Sequence, residues 1–341
     1  MIPCTRILVT AIGGDLAQAI VKALRMASMP CEIHGADMAD GLGSLFVNAV
    51  HKLPRASDPH YVDRLAELCH HHAIDAVFPA SEPEIRVLSH LPAFPHLSDV
   101  TRLICQPRAF TSVYGDKLRC FRALAEHVPL APFADGSSEA ETEAFVATHG
   151  FPLIVKERES SGGKGIQLVN DPLTLGRILP KFEKPVLQGF IDGEEAEYTI
   201  GVYGPREGGA KRLVSLRRRL ADFSCTWYAE LDMHPEVLEY SRQVAAVADG
   251  FGSYNIQLRL SSQGPRLLEI NPRFSSLTAA RAACGFNDAE WTLREALGLP
   301  LPEQPNLVAN FRFQRYFAEA VDIGAGYQDL TRLLSTRDIT A

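Results

Sequence analysis

The first apolar run, residues 6–11 (RILVTA), is rich in β-branched side chains and stops at Gly13-Gly14. From residue 16 to 26 apolar positions recur at helical spacing, so strand, glycine turn and helix follow one another, with Asp15 expected to cap the helix. A second apolar run over residues 32–36 ends at Asp37, residues 61–72 repeat the helical spacing, and residues 76–79 read as a third strand. Strands that alternate with helices require parallel crossovers, so roughly residues 1–110 predict a doubly wound parallel sheet.

Beyond Tyr114 the pattern changes. Residues 116–126 are helical, Gly150-Phe151-Pro152 opens a strand at 153–156, and another follows a glycine-rich turn at 166–169. Runs at 185–190, 197–203 and 213–216 have no helices between them, which implies antiparallel sheet. A helix at 236–250 precedes two strands, 254–260 and 265–271, joined by the turn Ser261-Ser262-Gln263-Gly264. Residues 277–284 and 290–297 read as closing helices and 308–316 as a last strand, without internal repeat. The expected fold is α/β and α+β, in three parts: 1–112 an N-terminal α/β domain, 113–190 a small lobe, and 191–341 a large lobe with a tail.

Chemistry concentrates in the second half. Side chains two apart on a strand point the same way, so Glu269 and Asn271 share one face, with Leu268 and Ile270 on the other. Asn255, Gln257 and Arg259 share a face of the neighbouring strand, and a hairpin lays the two polar rows side by side. Such a row is costly inside a domain unless paired, at about 1–3 kcal/mol for each unsatisfied group. Mg2+ bridged by phosphate oxygens supplies that partner, because a hard cation takes carboxylate and amide oxygens. Arg273, two residues further on, is suited to a transferring phosphoryl group or an acyl phosphate. A solvent-exposed hairpin with scattered polar residues is the alternative.

Lys156 precedes the loop Glu159-Ser160-Ser161-Gly162-Gly163-Lys164-Gly165, where glycine amides can cradle phosphate and lysines add charge. It is not a P-loop, since G-K-[ST] is absent and a strand follows; by itself it reads equally as a flexible hairpin turn. Val186-Leu187-Gln188-Gly189-Phe190-Ile191, followed by Glu194-Glu195, is able to read an adenine edge and a ribose, or to be an ordinary core strand.

Composition narrows the classes. The 341 residues exceed one simple core, and 46% hydrophobic with 22% charged residues describe an ordered globular chain of two or three lobes. A net charge of -7 gives no electrostatic footprint for nucleic acid. The seven cysteines contain no C-x-x-C pair and read as reduced thiols. With no leader pattern and no long apolar window, the chain is expected to be soluble, cytoplasmic and off the membrane. Three further features are equivocal. One or two of Arg217-Arg218-Arg219 suit a substrate carboxylate or phosphate, or sit on a solvated edge. Ser81-Glu82-Pro83-Glu84 suits an amine, or caps a helix. His70-His71-His72 has poor spacing for one metal site.

Taken in order, Gly115-Asp116-Lys117, FPLIVKERESSGGKGI, VLQGFIDGEEAEYTIGV and YNIQLRL with LLEINPRFSS resemble the ATP-grasp superfamily, in its carbamoyl-phosphate-synthase-like branch. The resemblance covers residues 113–300, more weakly 1–110, and is most specific at L-L-E-I-N-P-R. It implies a nucleotide clamped between two antiparallel sheets, with phosphate contacts from Lys117 and Lys156 and a lid over residues 160–165. It further implies adenine contacts from the backbone of Phe190 and Ile191 and a ribose contact from Glu195. Gln257, Glu269 and Asn271 would hold Mg2+, with Mn2+ an alternative, while Arg273 and Asn255 steady the phosphoryl group. One departure is Gln188, where the family usually has a glutamate against the adenine amino group. The implied activity is an ATP-dependent carboxylate-amine ligase acting on small molecules, compatible with a homodimer.

Two other functions fit parts of the chain. Gly13-Gly14 and Asp37 suggest an NAD(P)-dependent oxidoreductase, but Ala11-Ile12-Gly13-Gly14-Asp15-Leu16 lacks G-x-G-x-x-G. A non-catalytic ATP sensor is expected to lack ligands, whereas Lys156, Glu269, Asn271 and Arg273 are all present.

Overall fold

The computed structural model describes residues 4–39, 43–90, 94–160, 165–193, 196–221, 225–322 and 327–330. Its chain forms two compact units that do not follow the sequence in order: residues 1–108 gather 274–308 and 314–341, and residues 109–273 gather 309–313.

In the first unit the strands Ala49–Lys52, Cys31–Asp37, Thr5–Thr10, Ala76–Phe78 and Arg102–Leu103 lie in that order, all paired in parallel. Alternation along the first strand supplies both cores. Ile7 and Val9 pack with Ile20, Val21 and Leu24 of helix Asp15–Arg25, while Leu8 packs with Tyr61, Val62 and Leu65 of helix Tyr61–His71. A strand buried on both faces reads as the continuous apolar run seen in the sequence. The predicted closing helices, Thr278–Ala283 and Asp288–Ala296, belong to this unit rather than to the lobe formed by the preceding residues, and Ala289 and Leu293 join the core of the helix Asp15–Arg25. The expected cap is corrected: Gly14 is the N-cap, without a side-chain bond, and Asp15 is the first helical residue, where its charge still favours the helix dipole.

The second unit holds two antiparallel sheets. The smaller runs Phe133–Asp135, Pro185–Gly189, Leu153–Glu157, Ile166–Val169. The larger runs Gly264–Asn271, Gly252–Ser261, Glu197–Gly204, Arg212–Leu220, Thr226–Leu231, Arg312–Gln314, so the predicted last strand is shorter than residues 308–316. Tyr198, Ile200, Val202, Tyr254, Ile256 and Leu258 bury one face of it against Leu118 and Phe121 of helix Lys117–Leu124 and Val237, Tyr240 and Val244 of helix Pro235–Ala248. One expectation about this face is overturned. The register slips between Gln257 and Leu258, so Leu267 and Ile270 enter the core and Leu268 is the extra residue of a β-bulge. Among the described residues no helix is long and apolar enough to cross a membrane.

Candidate active site

The face of the larger sheet opposite the core is polar because its strands alternate. Register sets Thr199 and Glu269 on either side of Gln257, pairs Asn255 with Asn271, and places Glu197 between Arg218 and Arg259. Asn271 Nδ2 donates to Glu269 Oε1 at 3.2 Å. Glu197 is gripped from both sides: Arg218 Nη2 and Nε reach its Oε1 at 2.6 and 3.0 Å, and Arg259 Nη2 reaches its Oε2 at 3.1 Å.

Two lysines complete the constellation. Asp116 caps helix Lys117–Leu124, accepting from the amides of Leu118 and Arg119, and is itself clamped by Arg158 at 2.6 Å. Lys117 is therefore the first helical residue, a position where the dipole disfavours a cation. Its Nζ compensates by donating to Ser160 O at 2.9 Å and standing 3.3 Å from Glu269 Oε2. Lys156, 5% exposed, donates to Gln188 Oε1 at 2.5 Å, and Gln188 Nε2 donates to the Leu267 carbonyl at 3.1 Å, tying the smaller sheet to the larger.

Burial pushes the Lys156 ammonium down to about 8, opposed by Glu269 and reinforced by Lys117 and Arg259. Burial works the other way on Glu269, yet Lys117, Lys156, the Asn271 amide and Arg273 together hold its carboxyl below the ordinary value. The site thus keeps an ionised carboxylate among cations and suits an anionic ligand that brings further cations with it.

The structure brings Lys117, Lys156, Gln188, Glu269 and Asn271 together, but alters several assignments. Asn255 Nδ2 donates to Thr199 Oγ1 at 2.8 Å and Ile200 O at 2.9 Å. Both amide hydrogens of Asn255 are thus engaged inside the sheet. Gln257 Oε1 accepts from Arg218 at 2.7 Å, so this amide oxygen is turned toward the guanidinium. Gln188 Oε1, expected against an adenine amino group, meets Lys156 instead. The Ile191 carbonyl accepts from Arg259 at 2.7 Å and the Phe190 amide donates to Pro152 O at 3.4 Å, so two of the backbone groups expected to meet adenine are bonded within the protein. Gly165, at φ +68°, closes the loop through its carbonyl to the Glu157 amide at 3.1 Å. Ser161, Gly162, Gly163, Lys164 and Glu195 lie outside the described residues.

Elsewhere, Glu84 accepts from Thr10 Oγ1, Tyr61 OH and Ser81 Oγ at 2.8, 2.9 and 2.7 Å, while Ser81 caps its helix; a carboxylate this well satisfied is structural. Asp37 accepts the Gly13 amide at 2.9 Å and the Ala39 amide at 3.2 Å, which braces the glycine turn. Of the three arginines, Arg217 pairs with Glu230 and Arg219 lies over Tyr228, and Arg218 alone of the three bonds to Glu197 and Gln257. The sequence reading passed over Glu197 as a partner. Its signal was its place two residues before Thr199, on the same face as the row beside it.

Residues 181–317 match the family described as ATP-grasp in the biosynthetic pathway with Ter operon. The chain's fold is of the ATP-grasp type. Ahead of that match, residues 7–94 match the PylC-like N-terminal domain. The formate-dependent phosphoribosylglycinamide formyltransferase of Prochlorococcus marinus (strain NATL1A) is 26% identical over 210 residues, covering 57% of this chain and 53% of the relative. The chain spans about half the length of the curated relatives it matches. Among solved structures, the ADP complex of an N5-carboxyaminoimidazole ribonucleotide synthetase is similar with a TM-score of 0.71 at 16% identity, over 90% of this chain and 80% of that one. The biotin carboxylase domain dimer of Hydrogenobacter thermophilus 2-oxoglutarate carboxylase, in complex with MgADP, ADP and bicarbonate, gives 0.69 at 15% identity, over 87% and 70%. At such identities the likeness establishes the fold: a parallel-sheet N-terminal domain joined to an ATP-grasp domain with antiparallel sheets.

Proposed function

We propose that this chain is an ATP-dependent ligase that activates a small-molecule carboxylate as an acyl phosphate and transfers it to an amine, releasing ADP and phosphate. The contact between Lys117 and Glu269 carries this reading: a buried ammonium from one element and an ionised carboxylate from another meet beside Lys156 and Asn271.

The donor set fits a hard divalent cation such as Mg2+. Glu269 is held ionised, one of its oxygens already faces a cation, and Asn271 retains its amide oxygen because its Nδ2 is bonded to Glu269. Glu269 and Asn271 would hold the ion; Gln257 would join them on release from Arg218. When bound, Mg2+ supplies charge that neutralises phosphate oxygens.

This chain's own residues account for the rest. Lys117 and Lys156 attract the phosphates, and the Phe190 carbonyl and Ile191 amide orient the base. A carboxylate oxygen of the substrate attacks the terminal phosphorus and ADP leaves. Arg273 steadies the acyl phosphate; the amine attacks its carbonyl carbon and phosphate departs. The loop at residues 160–165 excludes water from the intermediate. The free cysteines, Cys4 exposed among them, suit a reducing cytoplasm.

The test is a paired screen of carboxylates and amines for ADP and phosphate release, with Glu269→Ala as control. Release that needs both substrates and falls at least about a hundredfold in the variant supports the ligase, on the order of 3 kcal/mol of transition-state stabilisation. ATP binding without turnover under any pair points instead to a sensor.

A further inference from the structure

Three imidazoles converge in the parallel-sheet unit, at a place the ligase chemistry does not use. His34 lies in the strand Cys31–Asp37, His51 in the edge strand Ala49–Lys52, and His72 is the C-cap of helix Tyr61–His71. In the parallel register His34 pairs with Ala49 and Ala36 with His51, so both histidines point to one side of the sheet, and the end of the helix delivers the third ring. Centroids are 4.2 Å apart for His51 and His72, 5.1 Å for His34 and His51, and 5.7 Å for His34 and His72. One ring nitrogen of each lies within 4.8 Å of the others. The cluster is not the run at residues 70–72: His71 meets the edge of His72 but is exposed and stands outside it.

Hydrogen bonds already orient the rings. His34 Nε2 is 3.1 Å from Glu32 Oε1, and a carboxylate only accepts, so Nε2 carries the proton and Nδ1 of the neutral ring carries a lone pair. That Nδ1 accepts from His51 Nε2 at 2.8 Å, the contact whose proton a bound metal would replace. Neutral imidazoles are the form that binds metal. Glu32, itself held by Arg6 Nε at 3.2 Å, stands where a carboxylate behind a ligating histidine fixes its tautomer and strengthens it as a donor. The carboxyl end of helix Tyr61–His71 adds a partial negative charge beside His72.

We propose that His34, His51 and His72 form a binding site for a borderline divalent metal, Zn2+ in the first instance, with three imidazole nitrogens and a fourth position open to water. Zn–N bonds of about 2.0–2.1 Å in tetrahedral geometry need nitrogens roughly 3.3 Å apart, reached by small side-chain rotations. The site is independent of the ATP-grasp reading, and its readout is metal binding rather than turnover.

The full chain, stripped with a chelator, is titrated with Zn2+ against a chromophoric competitor. One equivalent held at micromolar free metal is expected, with affinity lower by at least about a hundredfold in His51→Ala and His72→Gln, and by about tenfold in Glu32→Gln. His71→Ala keeps wild-type affinity. Circular dichroism of each variant establishes that it is folded, and Co2+ substitution should give the intense visible bands of a four-coordinate site. Absence of a tight equivalent, or an equal loss in His71→Ala and His51→Ala, overturns the proposal.

Discussion

Lys117 Nζ stands 3.3 Å from Glu269 Oε2, so the positive end of a helix, a lysine and a strand carboxylate meet at one point. The lysine side chain is 6% exposed and depends on that carboxylate for its countercharge. Glu269→Gln should therefore lower the stability of the unliganded protein by about 1–3 kcal/mol while abolishing turnover. Chemical denaturation and ADP release, measured on the same preparation, check both; unchanged stability with normal turnover would remove Glu269 from the site.

Lys156 titrates near 8 against an ordinary 10.5, and the two consequences have opposite signs. Between those values the unfolded chain binds a proton that the folded chain does not, so unliganded stability should rise as pH rises through that window. In the proposed function the ammonium meets the phosphates, so KM for ATP should climb above about pH 8. Gln188→Glu places a carboxylate beside Lys156 Nζ and should move that climb to higher pH; a KM profile identical to wild type would show that Lys156 does not meet the phosphates.

Glu197 neutralises Arg218 and Arg259, whose side chains are 10% and 18% exposed. Removing its charge with Glu197→Gln leaves two partly buried guanidinium groups uncompensated and should destabilise the fold by about 3 kcal/mol. Arg217→Ala, at a position 44% exposed, should cost less than about 1 kcal/mol. Urea midpoints of the two variants are the comparison, and equal shifts would contradict it.

Glu84→Ala should cost about 3 kcal/mol by stranding Thr10 and Tyr61, two buried hydroxyl donors. Because these bonds are structural, kcat/KM below the lowered melting temperature should match wild type. A selective loss of affinity for the amine substrate would instead make Glu84 a binding residue.

Local patterning explains what the sequence revealed. The alternation of Tyr254, Ile256 and Leu258 with Asn255, Gln257 and Arg259 distinguishes the two faces of a strand because backbone pleating has a period of two, and it holds wherever one face is buried. The glycine turn, the parallel sheet and the polar row followed from such short-range rules. They failed at Leu268, because a bulge is set by the partner strand and leaves no mark in one strand's own pattern.

Contacts between distant segments were decided only in three dimensions. Asn255 and Gln257 carry the right amides, but Thr199 and Ile200 take the Asn255 hydrogens and Arg218 takes the Gln257 oxygen. His72 looked unsuited to a metal within its own run, and became a candidate ligand when the sheet placed His34 and His51 beside it. Residue type and spacing therefore determined the fold class and the chemistry on offer. Hydrogen-bond partners were settled by packing, since each donor and acceptor is claimed by whichever group the tertiary fold brings within about 3 Å.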